Sequence, residues 1–477
     1  MIQKGSPPTP KARLIAQLRS LIPGDGVLTE DADIAFALVD HRRLYQGRAL
    51  AVVQPRSVEE VACVVRFCHE HRIGLVPQGG NTSYCGGATP DESGEQLVLS
   101  LRRLNRIRAV DAANFSMTVE AGCVLANVQR AADEAERFFP LSLGSEGSCQ
   151  IGGNLATNAG GLNVVRYGMT RDLVLGIEAV LPDGRILSSL KSLRKDNTGY
   201  HLPSLFIGSE GTLGVITAAS LKLWPRIRST ATAFAAITKP QDAIRLLDRL
   251  RTEAGEYLSS FELIPRIAIE LTTRFIEGVN DPFDRPYDWY LLCELTSGAT
   301  EPLLDRLQQT LASAHEQHEL LDAAFATSER VRTAFWRLRE NIPEAQRHFG
   351  PSIKHDISVP VAALPDFIRE ASAWVHAHVP DGVPVSYGHA GDGNLHFNVS
   401  RAEGAPTAAF MAREPHIRRA IHDCVARYHG SISAEHGIGR LKRAELQHYA
   451  SATSLDLMRA IKQALDPAGI MNPGKLL

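Results

Sequence analysis

Apolar residues recur along this chain with two different periods, and the change from one to the other divides it. At the start, Thr9 and Pro10 read as a helix cap and first helical position, followed at helical spacing by Leu14, Ile15, Leu18 and Leu21. Residues 1–8 read as a mobile tail without the apolar core of a secretion signal. From about 48 to 225, short runs such as "LAVVQP", "GLVPQGG", "QLVLSL", "MTVEAG", "GIEAVLP" and "GVITAASLKLW" predict strands that alternate with helices at 57–72 and 124–136. From about 230 to 430 glycine thins out and longer amphipathic helices are predicted at 239–252, 300–318, 327–347 and 411–428, with strands near 258–263, 288–295 and 383–400. The expected division is an N-terminal helical segment (1–47), a glycine-dense α/β domain (48–227), an α+β domain with an antiparallel sheet (228–430), and a C-terminal segment (431–477) that packs back on the first domain.

Composition narrows the function. A chain of 477 residues with 44% hydrophobic content has enough material for more than one core. Its 51 basic and 53 acidic residues leave a net charge of −2 with no long single-sign run, which argues against nucleic acid or an anionic membrane as partner and for a small molecule. No stretch approaches the roughly 18 consecutive apolar residues of a membrane span. The seven cysteines form no C-x-x-C pair, which argues against a disulfide framework, an iron–sulfur cluster and a zinc ribbon, and leads to the expectation of a reducing, cytoplasmic location.

Three loops concentrate glycine with Ser, Thr and Asn: "VPQGGNTSYCGG" (76–87), "LGSEGSCQIGGNLATNAGG" (143–161) and "FIGSEGTLGVIT" (206–217). Glycine lets the main chain approach a phosphate closely and turn successive N–H groups toward it. Three such loops in one domain point to an extended polar ligand of dinucleotide type, on the premise that folding alone does not need so much glycine. The Rossmann fingerprint is missing, so the cradle is of another kind. "GIMNPGKL" (469–476) nearly matches a P-loop, but Leu476 stands where a Ser or Thr would bind magnesium.

"SYGHAGDGNLHFN" (386–398) carries two histidines around a turn. If Asp392-Gly393 is a two-residue hairpin turn, His389 pairs with His396, close enough to share a cation, and Asn398 lies on the same face. Opposed histidines can equally stack or hydrogen-bond. "GSISAEHGIGRLKR" (430–443) offers Glu435 and His436, and two His with one carboxylate suit zinc or a similar divalent ion with positions left open. Spacing alone leaves open whether Glu435 reaches the hairpin.

"PQGGNTSYCGG", "GSEGSCQIGGNLATNAGG", "VVRYGMTRDLVLGIEAVLPDGRIL", "LRKDNTGYHLPSLFIGSEGTLG", "GHAGDGNLHFNV", "GSISAEHGIG" and "LDPAGIMNPGK", taken in order, resemble the FAD-linked D-2-hydroxyacid dehydrogenases, and within them the D-2-hydroxyglutarate dehydrogenase branch. The resemblance implies a vanillyl-alcohol-oxidase-type fold: a two-part α/β FAD-binding domain and an α+β cap. It implies that Gln78, Gly79, Gly80, Asn81 and Thr82 hold the diphosphate, with further FAD contacts from Gly144, Ser145, Ser148, Gly152, Gly153, Thr157, Asn158, Gly160, Val215, Ile216 and Asn472. Some relatives tether FAD through a histidine of the first loop. Residues 72–136 contain none, so a non-covalent flavin is expected, with Cys149 as the only candidate tether.

By the same resemblance His389, His396 and Glu435 are metal ligands (zinc first, with manganese, cobalt or iron as alternatives), and Arg339, Lys354, Asn398 and His436 face the substrate. Where the hydroxyglutarate enzymes carry Thr or Ser, this chain has Pro343, which removes a donor to the substrate's distal end. A divalent ion would acidify the α-hydroxyl, His436 would take its proton as general base, and hydride would pass from C2 to flavin N5. An electron-transfer flavoprotein or a quinone-linked carrier is the implied acceptor, and a homodimer is left open. The competing readings are the flavoprotein subunit of a glycolate oxidase, a D-lactate dehydrogenase, or a non-enzymatic nucleotide- or metal-binding component.

Overall fold

Ala51–Val53 and Leu75–Gln78 each pair in parallel with Leu97–Ser100, and Val27–Leu28 adds an antiparallel edge next to Ala51–Val53. Parallel strands are covered on both faces, which is why these runs are apolar throughout rather than alternating. Ala51, Val53, Leu75, Leu97 and Leu99 pack under helix Val58–His71, while Val52, Val76 and Val98 meet Ile34 and Ala37 of helix Asp31–Leu38. This computed structural model describes residues 10–477, so the expected tail at 1–8 and the Thr9 cap lie outside the described residues. The helix that follows, Pro10–Leu21, buries Ile15 and Leu18 but leaves Leu21 exposed, and Ile22 takes its place in the core.

A second sheet of the first half is antiparallel, in the order Ile107–Asp111, Ser116–Glu120, Val215–Lys222, Val174–Val180, Ile186–Ser189. The strand Val215–Lys222 leaves the third glycine loop, and helix Ile151–Ala156 leaves the second.

In the second half, Leu258–Pro265, Trp289–Ser297, Ser229–Ile237 and Asp322–Phe325 form one antiparallel sheet. Ser229–Ile237 runs through it as an interior strand: Ala231, Ala233, Ala235 and Ile237 enter one core while Phe234 and Ala236 enter another. A run of small residues buried on both faces lacks the alternation that marks a half-exposed strand, so hydropathy does not predict it. A second small sheet centres on Asn394–Arg401, flanked by Gly382–Tyr387 on one edge and by Ser352–Ile353 and Asp356–Ser358 on the other. Leu263 and Gly388 exchange main-chain hydrogen bonds of 2.9 and 3.0 Å, which join the two sheets. Helices Pro240–Glu253, Leu303–Glu316, Leu364–His378 and Glu414–Arg427 pack on one core, and Arg266–Phe275, Glu329–Glu340 and Ile342–Phe349 on the other.

Two expectations need correction here. The helix predicted over 327–347 is broken at Asn341, because Pro343 has no N–H to donate and its ring clashes with the preceding turn. The predicted hairpin register is also wrong: Tyr387, not His389, lies opposite His396, and Val385 lies opposite Asn398. Asp392-Gly393 is part of a longer connection, 388–393, because Gly388 pairs with Leu263 and the Gly391 N–H donates to Phe261 (3.1 Å) instead of folding back on its own strand. The C-terminal stretch also contains a 14-residue helix, Ala452–Leu465, and Met471 bridges to Leu75. Among the described residues no helix is long and apolar enough to cross a membrane, and all seven cysteines are free thiols.

Candidate active site

The Leu263–Gly388 bridge sets the next residues, Glu262 and His389, side by side although they are 127 positions apart. The Glu262 carboxylate is fully buried and accepts from His389 Nδ1 at 2.5 Å and from Arg339 Nε at 2.5 Å. This leaves His389 Nε2 to face the opposite way, 3.2 Å from Glu435 Oε1. The His396 ring lies 5.6 Å from that of His389, at 77°. One ligand atom each from His389, His396 and Glu435 lies within 4.8 Å of the other two, so the three predicted ligands meet despite the altered register. A tetrahedral ion with bonds of about 2.0–2.2 Å holds its ligands roughly 3.5 Å apart, so the set needs to close by about 1 Å.

The electrostatics suit a cation. Burial pushes His396 down to about 3, with the His389 and Arg339 charges adding to the fall against Glu435, so its ring is neutral with a lone pair to give. Burial also opposes the charge on His389, but Glu262 and Glu435 outweigh it and hold that imidazole well above its ordinary value. The Glu262–His389 contact is the kind of carboxylate support that metal-bound histidines carry on the nitrogen away from the ion.

Asp356 brings the loop of Glu435 to this corner. It sits opposite His396 in the strand pair, and its Oδ2 accepts the main-chain N–H groups of Glu435 and His436 at 2.9 Å each. Its Oδ1 accepts from Asn394 Nδ2 at 3.0 Å. His436 Nδ1 lies 3.5 Å from Asp356, and its ring packs on Tyr84 at 4.6 Å and runs nearly parallel to His396 at 6.1 Å. Burial lowers its pKa against the pull of Asp356 and Glu435, which favours the free base.

The predicted substrate residues divide. Arg339 is buried, with its guanidinium 4.9 Å over the Tyr387 ring; Nε is held by Glu262, and its terminal nitrogens donate to nothing among the described residues. Lys354 lies 6.0 Å from the Tyr84 ring centroid and forms no ion pair among the described residues, although Glu344 acts on it from farther off. Burial, followed by repulsion from Arg42, brings it down to about 8. Asn398 is buried and spends its amide nitrogen on Gln346 Oε1 at 2.9 Å.

The glycine loops interlock beside this corner. A Cβ on Gly80 would stand 2.2 Å from the Ser148 carbonyl, so the first two loops touch main chain to main chain. A Cβ on Gly160 would stand 3.2 Å from Glu435 Cγ, so the second loop directly adjoins a candidate metal ligand. Gly152 is packed against Ala121 in the same way, whereas Gly144 and Gly153 face open space. The premise that folding does not need these glycines therefore fails for Gly80 and Gly152, where neighbouring chain segments exclude a side chain. Glu210 of the third loop ties the assembly together by accepting the N–H groups of Ile438 and Gly439 at 2.7 Å each.

Polar groups around these loops await a ligand. The main-chain N–H groups of Gly80, Asn81, Thr82 and Ser83 donate to nothing among the described residues, leaving a nest for an anion. The side chains of Gln78 and Asn81 do not serve as its donors: Gln78 Nε2 bonds to the Ala37 and Ala88 carbonyls, and Asn81 Nδ2 to that of Val39. Gln78 Oε1, Gln150 Oε1, Asn154 Oδ1 and Asn472 Oδ1 are buried without a partner. A cavity of about 640 Å³ is lined by Arg102, Asn105, Val124, Asn127, Arg130 and Gln150 among others. Thr157 bonds back to Gly153, Asn158 Oδ1 accepts the Arg171 N–H, and Ser145 and Ser148 lie on the same turn. Val215 and Ile216 send their side chains into two separate cores, so neither side chain faces this space.

Comparison with known proteins places this geometry. Residues 49–189 match the family described as FAD binding domain, and residues 226–476 match FAD linked oxidases, C-terminal domain. The mitochondrial D-2-hydroxyglutarate dehydrogenase of Bos taurus is 38% identical over 466 residues, covering 97% of this chain and 83% of that protein. The D-2-hydroxyglutarate dehydrogenase of Xanthomonas citri pv. viticola is 37% identical over 467 residues, covering 97% and 96%. The chain belongs to the FAD-linked D-2-hydroxyacid dehydrogenase family. Members bind FAD, and the free N–H nest and unpartnered amide oxygens fit such a dinucleotide. Among solved structures, p-cresol methylhydroxylase superposes with a TM-score of 0.76 at 16% identity (97% and 96% of the two chains) and alkyldihydroxyacetonephosphate synthase with 0.74 at 17% (98% and 86%). These likenesses concern the fold alone, which is of the vanillyl-alcohol-oxidase type.

Sequence reasoning missed Glu262, Asp356, Glu210 and Tyr84. Glu262 in "FELIP" and Asp356 in "IKHDIS" carried a signal, because an acid inside an apolar strand is buried and must find a partner.

Proposed function

We propose that this FAD-dependent dehydrogenase oxidises a D-2-hydroxy acid with a distal carboxylate, D-2-hydroxyglutarate or D-malate, to the 2-oxo acid. The reading is carried by one observation: the ligand atoms of His389, His396 and Glu435 lie within 4.8 Å of one another, with Glu435 against Gly160 of a flavin loop. Those three side chains would hold a divalent ion, zinc first, which when bound acts as a Lewis acid toward the substrate hydroxyl. The nest at 80–83 and the loop at 143–161 would hold FAD non-covalently, and FAD would supply the acceptor for the C2 hydride.

The chain's own residues do the rest. Asp356 lies on the Nδ1 side of His436, leaving Nε2 as the atom that accepts the hydroxyl proton. His436 would take the hydroxyl proton and bound FAD would supply the hydride acceptor, so that the alcohol loses two hydrogens and two electrons and becomes a ketone. The terminal nitrogens of Arg339 offer a planar fork to a carboxylate, and Glu262 fixes the orientation of that fork. An electron-transfer flavoprotein or a quinone-linked carrier would be the final electron acceptor.

A shorter substrate such as D-lactate is the second reading, favoured by Pro343, which offers no hydroxyl. An anaerobic panel of D-2-hydroxyglutarate, D-malate, D-lactate and glycolate, read as bleaching of the flavin band, separates these readings. The same panel after chelation and after return of zinc or manganese tests the ion. Full-rate bleaching by rigorously metal-free protein would sink the metal role.

A further inference from the structure

Arg42 lies on a loop that is braced against the site. Asp40 is buried, and its carboxylate accepts the main-chain N–H groups of Arg42 at 3.0 Å and Tyr45 at 2.6 Å, which winds residues 40–45 into a tight turn with Arg43 at φ +57°. That turn lays the His41 ring edge-on to Tyr84, 5.5 Å between centroids. Tyr84 is the same ring that packs on His436 at 4.6 Å and lies 6.0 Å from the Lys354 ammonium. The Arg42 guanidinium has no ion pair, hydrogen bond or ring partner among the described residues, and its charge acts on Lys354, Tyr84 and His436.

The charges around the substrate therefore do not balance. Arg339 is matched by Glu262 within the protein, whereas Lys354 feels the repulsion of Arg42 more than the pull of Glu344, a carboxylate already paired with Arg347. Two like charges held together across a mostly buried position favour an anion that neutralises both. We propose that Arg42 joins Lys354 in receiving the distal carboxylate of the substrate, so that Arg42 selects dicarboxylic over monocarboxylic D-2-hydroxy acids. The inference rests on the functional reading above and deepens it: Arg42 supplies a distal contact that Pro343 cannot.

The test compares wild-type holoenzyme with Arg42→Met and Arg42→Lys in anaerobic flavin reduction by D-malate, D-2-hydroxyglutarate and D-lactate. Loss of a charge-assisted contact lowers the ratio of kcat/KM for the diacids over D-lactate by about tenfold to a hundredfold in Arg42→Met, through KM more than kcat. Arg42→Lys restores most of that ratio. An unchanged ratio, or an equal loss for all three acids, overturns the assignment. If none of the acids reduces the wild-type flavin, the functional reading fails. Equilibrium titration with 2-oxoglutarate and pyruvate, followed by the flavin spectrum, then decides for Arg42: weaker 2-oxoglutarate binding in Arg42→Met with pyruvate little altered supports it, and equal binding of 2-oxoglutarate by wild type and Arg42→Met refutes it.

Discussion

The glycine-loop wall and the candidate metal corner adjoin at Gly160 and Glu435 but are built by opposite means. The wall is mostly main chain: loops that interlock because side chains are missing, with unpartnered N–H groups and few charges. The corner is side chain: acids and bases on strands, a helix and the loops beside them, each oriented by another, as Glu262 orients both His389 and Arg339 and as Asp356 positions Glu435 and His436. A wall of this kind tolerates changes in side-chain identity but not in size, and a corner of this kind tolerates size better than a lost charge. Substitutions should therefore separate flavin retention from chemistry.

The largest effect expected is at His396. His396→Ala would remove one of the three proposed metal ligands, and the lost Lewis-acid stabilisation of several kcal/mol would lower kcat by roughly a thousandfold. The protein stays yellow, because the rings packed against His396 are those of Tyr387, His389 and His436, none of which belongs to the three glycine loops. Stopped-flow reduction at the flavin band checks both parts, and loss of colour together with activity would erase the distinction between wall and corner.

Glu262→Gln comes next. The amide can accept from only one of His389 Nδ1 and Arg339 Nε and turns a donor on the other. Loss of such support weakens metal affinity about tenfold to a hundredfold, measured by competition with a metal-sensitive dye. Unchanged affinity would show that Glu262 serves Arg339 alone.

How much of this was legible in the sequence follows the same division. Helices with one apolar face, such as Val58–His71, Pro240–Glu253 and Glu414–Arg427, announce themselves because their burial is one-sided. Ser229–Ile237 does not, since a doubly covered strand of alanines has no period to read. The glycine loops were legible as a dinucleotide cradle, but the premise that folding does not need their glycines fails at Gly80, because only the packing shows Ser148 excluding a side chain there. His389 and His396 stood out as a pair, yet the reasoning that joined them used the wrong register; what sets the register is a main-chain bridge to Leu263, which no local pattern encodes.

On the wall, Gly80→Ala should act without touching the chemistry. Its Cβ would fall 2.2 Å from the Ser148 carbonyl, and an overpacked contact of this kind costs about 1–3 kcal/mol, so FAD affinity falls on the order of tenfold. The FAD-to-protein ratio after gel filtration measures it, and excess FAD restores turnover. Retention of a full complement of flavin would show that the two loops can part freely.

Lys354 gives a pH test between wall and corner. Burial and the Arg42 charge bring its ammonium down to about 8, so the free enzyme loses this positive charge as pH rises through 8. The kcat/KM for a dicarboxylic substrate then falls, approaching tenfold per pH unit above that point, because this parameter reports the free enzyme. Lys354→Arg, which keeps its charge, removes that limb. A flat profile up to pH 9.5 would take Lys354 out of substrate binding.

The smallest change expected is also the one that connects backbone to specificity. Pro343 breaks what hydropathy reads as one helix into Glu329–Glu340 and Ile342–Phe349, and it stands half-buried one turn beyond Arg339. Pro343→Thr returns an N–H to the helix start and adds one hydroxyl donor. A neutral hydrogen bond contributes about 0.5–1.5 kcal/mol net, so the preference for D-2-hydroxyglutarate over D-lactate should rise between about twofold and tenfold. If the preference falls instead, the break after Asn341 itself positions Arg339, and the corner depends on its backbone as much as the wall does.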